Sequence, residues 1–417
     1  MQYNRLERVI AYILSKSPRL KLFIKKNYQK LNYQLYKKNY NYKSKFQIKK
    51  FSYNKKESFF GYYDKSPINK TNEYIIFHSS NISTKNLPNP KVPVNIVLYD
   101  LKKGEYKKID ESYSYNWQQG SRLMWLNNYR LIYNVFENGE YKSKIYDVKT
   151  EKFCIINFPI YDTYKDEFAI SLNFERLAIG RGDYAYKNKK LKINWSENHN
   201  DGLYFVDLKN NRFKKILSLQ DVIDFNYKES MKRAKHKFNH IMISPNGKKI
   251  MFMHRWFLEN GRKFDTLLVC DIDGKNLNII ADKEMVSHCY WYDDENIFGY
   301  LREFEGDKYY MININTLEKK VIGKNIIDKF GDGHPTIYKD NIVFDTYPNK
   351  SRMLELFLYN LRSNKLDKLG EFFQSFDFYG ETRCDLHPRF SFDGKKIFFD
   401  SVHEENRYLY MMELEIE

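Results

Sequence analysis

The stretch VLYDLKKGE, residues 97–105, contains the pattern that decides the fold. An alternating apolar strand ends at Asp100, a polar turn with Gly104 follows, and a second strand begins at Glu105, which is the composition of a β-hairpin. The phrase recurs along the chain as KIYDVKTEK at Asp147, YFVDLKNNR at Asp207, LVCDIDGKN at Asp271, YMININTLE at Asn313, FLYNLRSNK at Asn360 and LYMMELEIE at Glu413.

The seven copies predict an all-β fold, a seven-bladed β-propeller over residues 51–417. A four-stranded antiparallel sheet cannot bury both of its faces alone, whereas sheets packed around a ring cover one another and leave only short edges. Two β-sandwiches would account for the strands but not for the regular recurrence. The last copy is cut short by the C-terminus.

The positive charge of the chain is concentrated at its N-terminus. Of the formal net charge of +17, residues 1–50 carry +13, because Glu7 is their one acidic residue. The remainder is close to neutral, which argues against a nucleic-acid-binding protein. Apolar residues at helical spacing in this segment predict a basic amphipathic helical region: Leu6, Ile10, Ile13 and Leu14, and, after Pro18, Leu20, Phe23, Ile24, Tyr28, Leu31 and Leu35.

The composition of residues 1–50 is that of a helix lying in a membrane interface. The alternative is a solvated helix that packs against the propeller. The four cysteines show no CxxC spacing, and the chain has neither a secretory signal nor a run of about 18 apolar residues. We therefore expect a cytoplasmic protein, which the first interpretation of residues 1–50 would attach peripherally to the inner membrane face.

A second phrase, a turn leading into an alternating strand, precedes each hairpin and is typified by SPNGKKIMF at residues 244–252. The position four residues before this turn is polar or ionisable in all seven copies: Tyr62, Arg122, Glu167, His240, His288, His334 and His387. It belongs to the innermost strand of a propeller blade, so we expect these side chains to face the central channel. For any single histidine, hydrogen bonding within its own blade is an equally good interpretation.

These residue types suit acid–base chemistry on an acidic sugar. Neutral histidine is the natural general base near pH 7, and arginine holds a carboxylate through two parallel hydrogen bonds. With a tyrosine as acid, they meet the requirements for removing a proton next to a uronate carboxylate. Histidine nitrogens together with Asp332, Asp385 and Cys384 also indicate a divalent metal such as Mn, Fe or Zn.

Three motifs resemble those of the seven-bladed polysaccharide lyases typified by oligogalacturonate lyase: SHCYW (287–291), DGHP (332–335) and RCDLHPRFSFDGKKIFFDS (383–401). The similarity is best over residues 230–415. It implies a histidine base at His288, an assisting arginine at Arg255 and a Mn ion held by ligands that include His334 and His387. The sequence departs from the family at Cys384, where the family has a glutamine ligand, and at Arg389, where it has a further histidine.

Other phrases are similar to bacterial proteins found among surface-polysaccharide synthesis functions and labelled glycosyltransferases: FFGYYDKSPIN (59–69), NWQQGSRLMWL (116–126), HRW (254–256) and DTYPN (345–349). The chain lacks a DxD motif within a Rossmann-like pattern that would support nucleotide-sugar transfer.

We predict a carbohydrate-active, polysaccharide lyase-like propeller that cleaves an acidic oligo- or polysaccharide by β-elimination at an axial pocket. The alternatives are a non-catalytic propeller that binds a glycan or a partner in surface polysaccharide biosynthesis, and a glycosyltransferase. The predicted catalytic residues are His288, Arg255, Tyr62 and Arg122. The predicted substrate-binding residues are His240, Arg383, Arg389, Glu167, Trp256 and Trp291. The predicted ligands of Mn or another divalent metal are His334, His387 and Asp385.

Overall fold

The predicted seven-bladed β-propeller is confirmed in a computed structural model, which describes residues 18–180, 182–189 and 197–414. Within each blade the first strand lies at the axis and the later strands follow outward.

Two strands precede the first blade: β1 (Tyr42–Ser44) and β2 (Ile48–Phe51). Blade 1 contains β3 (Ser58–Phe59), β4 (Tyr74–Ser80), β5 (Val94–Asp100) and β6 (Glu105–Ser112). Blade 2 contains β7 (Met124–Trp125), β8 (Arg130–Glu137), β9 (Glu140–Asp147) and β10 (Phe153–Ile156). Blade 3 contains β11 (Asp162–Tyr164), β12 (Phe168–Ser171), β13 (Gly202–Asp207) and β14 (Arg212–Ser218).

The remaining blades follow the same order. Blade 4 contains β15 (Lys235–Ile243), β16 (Lys249–Phe257), β17 (Lys263–Asp271) and β18 (Asn278–Ala281). Blade 5 contains β19 (Val286–Trp291), β20 (Asn296–Glu303), β21 (Gly306–Asn313) and β22 (Lys319–Val321). Blade 6 contains β23 (Thr336–Tyr338), β24 (Asn341–Asp345), β25 (Met353–Asn360) and β26 (Lys365–Phe373). Blade 7 contains β27 (Arg389–Phe390), β28 (Lys396–Glu404) and β29 (Asn406–Glu413).

The recurring Asp or Asn forms the turn between the two outer strands of a blade. The Asp100 carboxylate accepts hydrogen bonds from the backbone N–H groups of Lys102 and Lys103, both at 3.0 Å. Equivalent pairs of bonds are made by Asp147, Asp207, Asn313 and Asn360. A short side chain that bonds its own backbone two and three residues ahead fixes a tight reversal, which explains why this position repeats.

The N-terminal part of the chain closes the ring. Strand β2 pairs antiparallel with β29 and becomes the outermost strand of blade 7, while β1 pairs with β26 as a fifth strand of blade 6. The propeller therefore includes residues 42–50, which the sequence analysis placed in the N-terminal segment. Phe51 is fully buried between blades 7 and 1, so this closure also supplies core packing.

Two α-helices lie outside the sheets of the described chain: α1 (Pro18–Tyr36) and α2 (Leu219–Phe225). Helix α1 agrees with the helical spacing of residues 20–35, whereas the spacing at 5–14 lies outside the described residues. In the part of the chain that the structure describes, no helix has the length and apolar character needed to cross a bilayer.

Candidate functional site

Four of the nine histidines surround one tyrosine at the propeller axis. The Tyr62 ring centroid lies 5.1 Å from that of His387, 6.0 Å from His240, 6.3 Å from His334 and 6.5 Å from His288. Their shared position before the first turn of each blade thus brings five of the seven predicted register residues to one place. All five are less than one-tenth exposed.

Local backbone geometry turns some of these side chains toward the axis. His240 and His387 have φ values of 55° and 45°, in the left-handed region that non-glycine residues seldom adopt. At His240 the pairing of β15 with β16 shifts between Asn239 and Met242, as at a β-bulge. A bulge breaks the alternation of side chains and re-aims one of them, and such local strain is common at functional sites.

The placement of Glu167 in this register is wrong. The first turn of blade 3 begins at Tyr164, so the position four residues earlier is Ile160. Glu167 itself lies in that exposed turn, immediately before β12. The prediction took SLNFERLAI, residues 171–179, as the turn phrase of this blade. That phrase belongs instead to the end of β12 and to a long insertion that follows it.

A cavity of about 320 Å³ opens beside the histidines on the face that bears the loops between the second and third strands. Blades 4 to 6 supply most of its wall, and one residue of the blade 3 insertion, Tyr184, also reaches it. The polar residues that line it are Tyr62, Tyr184, Asn239, His240, Arg255, Lys263, Ser287, His288, Asp332 and Tyr347. A mostly polar cavity of this size suits a small hydrophilic ligand.

His288 is positioned as a base by its neighbours. Its Nδ1 lies 3.0 Å from Oδ1 of Asp332, whose other oxygen accepts a hydrogen bond from Ser287 Oγ at 2.6 Å. Because an ionised carboxylate only accepts, Nδ1 carries the proton and Nε2 keeps a free lone pair. Burial and the nearby His334 ring lower the pKa of His288, although Asp332 opposes them. The imidazole is therefore neutral at pH 7.

His240 lines the same cavity but is tied to its wall. Its Nε2 lies 2.8 Å from the carbonyl oxygen of Cys289 and 3.1 Å from the hydroxyl of Tyr63. Burial lowers the pKa of His240 to about 4. It is thus a neutral, hydrogen-bonded wall residue rather than a free base.

A pair of cations shares one buried carboxylate in the wall of blade 4. Arg255 donates through Nε to Asp265, and Lys263 Nζ lies 2.9 Å from the other oxygen of the same carboxylate. Burial alone would lower the pKa of Arg255, but Asp265 raises it overall, so the guanidinium stays charged. Arg255 and Lys263 share the charge of Asp265 and so keep one excess positive charge on their side of the cavity, which suits an anionic group of a ligand. The ionised Asp332 lines another part of the cavity and balances this charge.

Lys263 was missed by the sequence reasoning. It lies at the start of β17, and Asp265 stands directly opposite Arg255 in the antiparallel pairing of β16 with β17. The short turn around Gly261 could have predicted this arrangement, because a tight hairpin fixes which residues of its two strands face each other.

His334 and His387 are each oriented through Nδ1. His334 Nδ1 bonds Asp345 at 2.8 Å, and His387 Nδ1 donates to the carbonyl oxygen of Gly61 at 2.9 Å. The Asp345 carboxylate also accepts hydrogen bonds from the backbone N–H groups of His334 and His387, at 2.8 and 3.0 Å. The two Nε2 atoms are buried without a hydrogen-bond partner in the described chain. Together with Asp385 they offer three ligand atoms within 4.8 Å of one another.

This trio has the features of a metal site. Metal-binding histidines usually donate their second ring nitrogen to a carboxylate or a backbone carbonyl, as both do here. Burial lowers the pKa of His387 far below 6.5, so its Nε2 lone pair is available at neutral pH. Burial also acts on His334, but Asp345 raises its pKa overall, so a metal ion would compete there with a proton.

Arg383 does not line the cavity but pairs with the carboxylate of the trio. Its Nε lies 2.7 Å from Asp385 Oδ2, and its Nη1 donates to Asp183. Asp183 belongs to the blade 3 insertion, residues 172–201, so this pair connects the insertion to blade 7 across the propeller face. Burial tends to raise the pKa of Asp385, and Arg383 lowers it overall, so the carboxylate is ionised.

Two other predicted arginines serve the propeller wall. Arg122 donates to both oxygens of Asp64, at 3.2 and 2.7 Å, and lies outside the lining of the cavity. Arg389 donates to the carbonyl oxygen of Tyr62 at 3.1 Å and to Asp400 at 2.8 Å. Arg389 and Asp64 border a second cavity of about 380 Å³ at the opposite mouth of the channel. Neither arginine is placed to bind a substrate among the histidines.

The two predicted sugar-stacking tryptophans are interior residues. Trp256 stacks on Phe264 and donates to Ser230 Oγ at 3.2 Å. Trp291 donates to the carbonyl oxygen of Met242 at 3.0 Å and packs between blades 4 and 5. Neither lines the axial cavity, so both are explained by packing and by the need to satisfy the indole N–H.

Cys384 contributes its side chain to packing. It is buried with Phe378 and Val402, and burial raises the pKa of its thiol to about 12. A thiol that stays protonated is a poor metal ligand, and Cys384 is absent from the trio.

Taken together, the fold and the cavity define a class of protein, a seven-bladed β-propeller with a histidine-lined axial pocket. No family model and no curated protein matches the sequence. Among solved structures, the chain is similar to the oligogalacturonate lyase of Vibrio parahaemolyticus, with 13% identity, a TM-score of 0.61, and coverage of 89% of this chain and 96% of that one. It is likewise similar to an oligogalacturonate lyase in complex with manganese, with 15% identity, a TM-score of 0.61, and coverage of 91% and 95%. At these identities the similarity is one of fold.

Proposed function

We propose that this protein cleaves an acidic oligosaccharide by β-elimination next to a uronate carboxylate. The observation that carries the proposal is a neutral histidine with a free Nε2, His288, in the same cavity as the cation pair Arg255 and Lys263. Base and carboxylate-binding cations are the two groups that this reaction needs most. The fold similarity to oligogalacturonate lyases supports the same chemistry by analogy.

In the proposed reaction, His288 Nε2 removes the proton from the ring carbon that bears the carboxylate. The electron pair of that C–H bond forms a carbon–carbon double bond with the neighbouring ring carbon. The bond from that neighbour to the glycosidic oxygen breaks, and the oxygen leaves with a proton. Arg255 and Lys263 stabilise the negative charge that develops on the carboxylate.

Tyr62 is our candidate for the acid that protonates the leaving oxygen. Burial raises the pKa of its phenol well above 10, and the nearby Tyr184 raises it further. The hydroxyl therefore keeps its proton at neutral pH and can donate it. Tyr62 lines the cavity together with His288, so both face the same ligand space.

A divalent cation fits the trio of His334, His387 and Asp385, because two buried Nε2 lone pairs otherwise lack a partner in the described chain. Mn is favoured among the divalent ions by the oligogalacturonate lyase that is in complex with it. Such an ion would supply positive charge that makes the proton next to the carboxylate more acidic.

The test is incubation of the full chain and Mn²⁺ with a panel of uronate oligosaccharides, followed in the ultraviolet through the new conjugated double bond. We expect His288→Gln to abolish product and the exposed-residue control His199→Gln to retain it. Absence of unsaturated product from every substrate would refute the lyase proposal. Glycan binding that survives His288→Gln without product would instead identify a binding module, and nucleotide-sugar binding a transferase.

We also propose that residues 1–50 bring the propeller to a membrane surface. The specific observation is that helix α1 leaves three apolar side chains, Ile24, Leu31 and Leu35, in contact with solvent. This recruitment is compatible with the lyase and with a non-catalytic propeller that binds a glycan or a partner in surface polysaccharide biosynthesis.

A further inference from the structure

Helix α1 contacts the propeller through side chains near its C-terminal end. The Tyr33 ring packs on Phe373 and Phe376, with centroids 5.6 and 5.8 Å apart, and Asn32 beside it is buried. At the C-terminal end of the helix, Lys350 Nζ lies 5.4 Å from the centre of the Tyr36 ring. These contacts fix the helix at blade 6.

The opposite side of α1 is apolar and exposed. Ile24, Leu31 and Leu35 are 38, 60 and 71% exposed. Their spacing of seven and four residues places them on one stripe of an α-helix. The two leucines of this stripe are more than half exposed, and exposing such an apolar surface to water is unfavourable.

The charge of the helix indicates what covers this stripe. The α1 sequence contains no acidic residue and five basic ones: Arg19, Lys21, Lys25, Lys26 and Lys30. An apolar stripe on a lysine-rich helix is the pattern of an interfacial helix on an anionic membrane, where apolar burial and attraction to lipid headgroups act together. An apolar groove of a protein partner would not need the uniform positive charge.

The docking position also relates α1 to the axial cavity. Lys350, which contacts the helix, and Tyr347, which lines the cavity, belong to the same short loop, residues 346–352. Phe376, which contacts Tyr33, lies in the loop that leads on to Arg383, and Arg383 pairs with Asp385 of the metal trio. Helix α1 therefore lies on the face of the propeller at which the cavity opens.

We infer that α1 binds an anionic membrane surface and turns the mouth of the axial cavity toward the bilayer. The ligand class that such an arrangement serves is an acidic glycan attached to the membrane, whose sugar part enters the cavity from the lipid side. This last step rests on the proposed lyase activity, whereas membrane binding by α1 does not.

The membrane test is flotation of the full chain with vesicles of phosphatidylcholine alone or mixed with phosphatidylglycerol. We expect binding to the anionic vesicles, weakened by high salt, and at least a tenfold weaker partition for the double variant Leu31→Gln, Leu35→Gln. Leu317→Gln, at a 43% exposed leucine of blade 5, is the matched control and is expected to bind normally. No binding by the unmodified chain, or equal binding by the double variant, would overturn the inference.

Orientation is tested by amide hydrogen exchange of the full chain with and without anionic vesicles. We expect protection of α1 and of residues 346–352, and none of the turn at residues 391–395 at the opposite mouth of the channel. Protection of that turn instead would refute the orientation. Cleavage of soluble uronate oligosaccharides by the double leucine variant should be unchanged, so loss of membrane binding and failure of the lyase proposal give different results.

Discussion

Replacing Arg383 by glutamine should tighten Mn²⁺ binding at the trio of His334, His387 and Asp385. Arg383 Nε lies 2.7 Å from Asp385 Oδ2, and both side chains are mostly buried. The guanidinium thus neutralises the carboxylate that a metal ion needs. A hydrogen bond between charged groups contributes about 1.5–3 kcal/mol, and removing this competitor corresponds to roughly a 10- to 100-fold lower Kd.

The assay is calorimetric titration of Mn²⁺ into the full chain at pH 7. Asp183→Asn is the matched control, because it removes the charge of the second carboxylate that pairs with Arg383 and leaves the Arg383–Asp385 pair in place. We expect its Kd to stay near that of the unmodified protein. Asp385→Asn should abolish binding. Weaker binding by Arg383→Gln would refute the reasoning, since it would mean that Arg383 orients Asp385 for the metal rather than competing with it.

Three further predictions address stability and the base. Burial lowers the pKa of His403 to about 4, so unfolded chains take up a proton near pH 6.5 while folded ones do not. His403 alone should contribute a loss of about 2 kcal/mol of stability at pH 5, added to the losses from other buried histidines such as His240. In denaturant titrations His403→Gln should reduce the total loss by that amount, while the exposed control His199→Gln should leave it unchanged. Asp332→Asn should lower kcat roughly 100-fold with little change in KM; an unchanged kcat would contradict a positioned base. In calorimetry, deleting residues 1–51 should lower Tm by roughly 10 °C or more because it opens blade 7, and deleting 1–37 should lower it far less.

The sequence was sufficient for the architecture because the hairpin turns are local. Asp100 and its equivalents bond their own backbone two and three residues ahead, so the signal needs no distant contact. The strand pairing that closes the ring could not be predicted from such local signals. The pairing of β2 with β29 joins residues more than three hundred positions apart, and neither strand carries a local mark of its partner.

The error at Glu167 has an identifiable cause in the sequence. Blade 3 carries the insertion at residues 172–201 directly after β12, and its first residues resemble the turn phrase of the other blades. The correct signal was the tripeptide Tyr-Lys-Asp, which occurs at 164–166 and again at the equivalent turn of blade 6, residues 338–340. A long insertion inside a repeat moves the apparent register, and local similarity alone cannot detect this.

The sequence register brought the histidines together but could not assign their roles, because each role depends on what Nδ1 or Nε2 contacts in space. His288 faces Asp332 and keeps Nε2 free toward the cavity, as a base requires. His334 and His387 are fixed by Asp345 and by a backbone carbonyl, which directs both Nε2 atoms to Asp385, as metal ligands require.

The partners of these rings come from different blades and loops. The carbonyl that orients His387 belongs to Gly61 of blade 1, and Asp345, at the end of β24, bonds both His334 and the backbone of His387. One residue type at one repeated position thus acquires different chemistry from neighbours that the repeat does not encode. Substitutions of Asp332 and Asp345 should therefore separate base function from metal binding more cleanly than substitutions of the histidines themselves, whose rings are in contact.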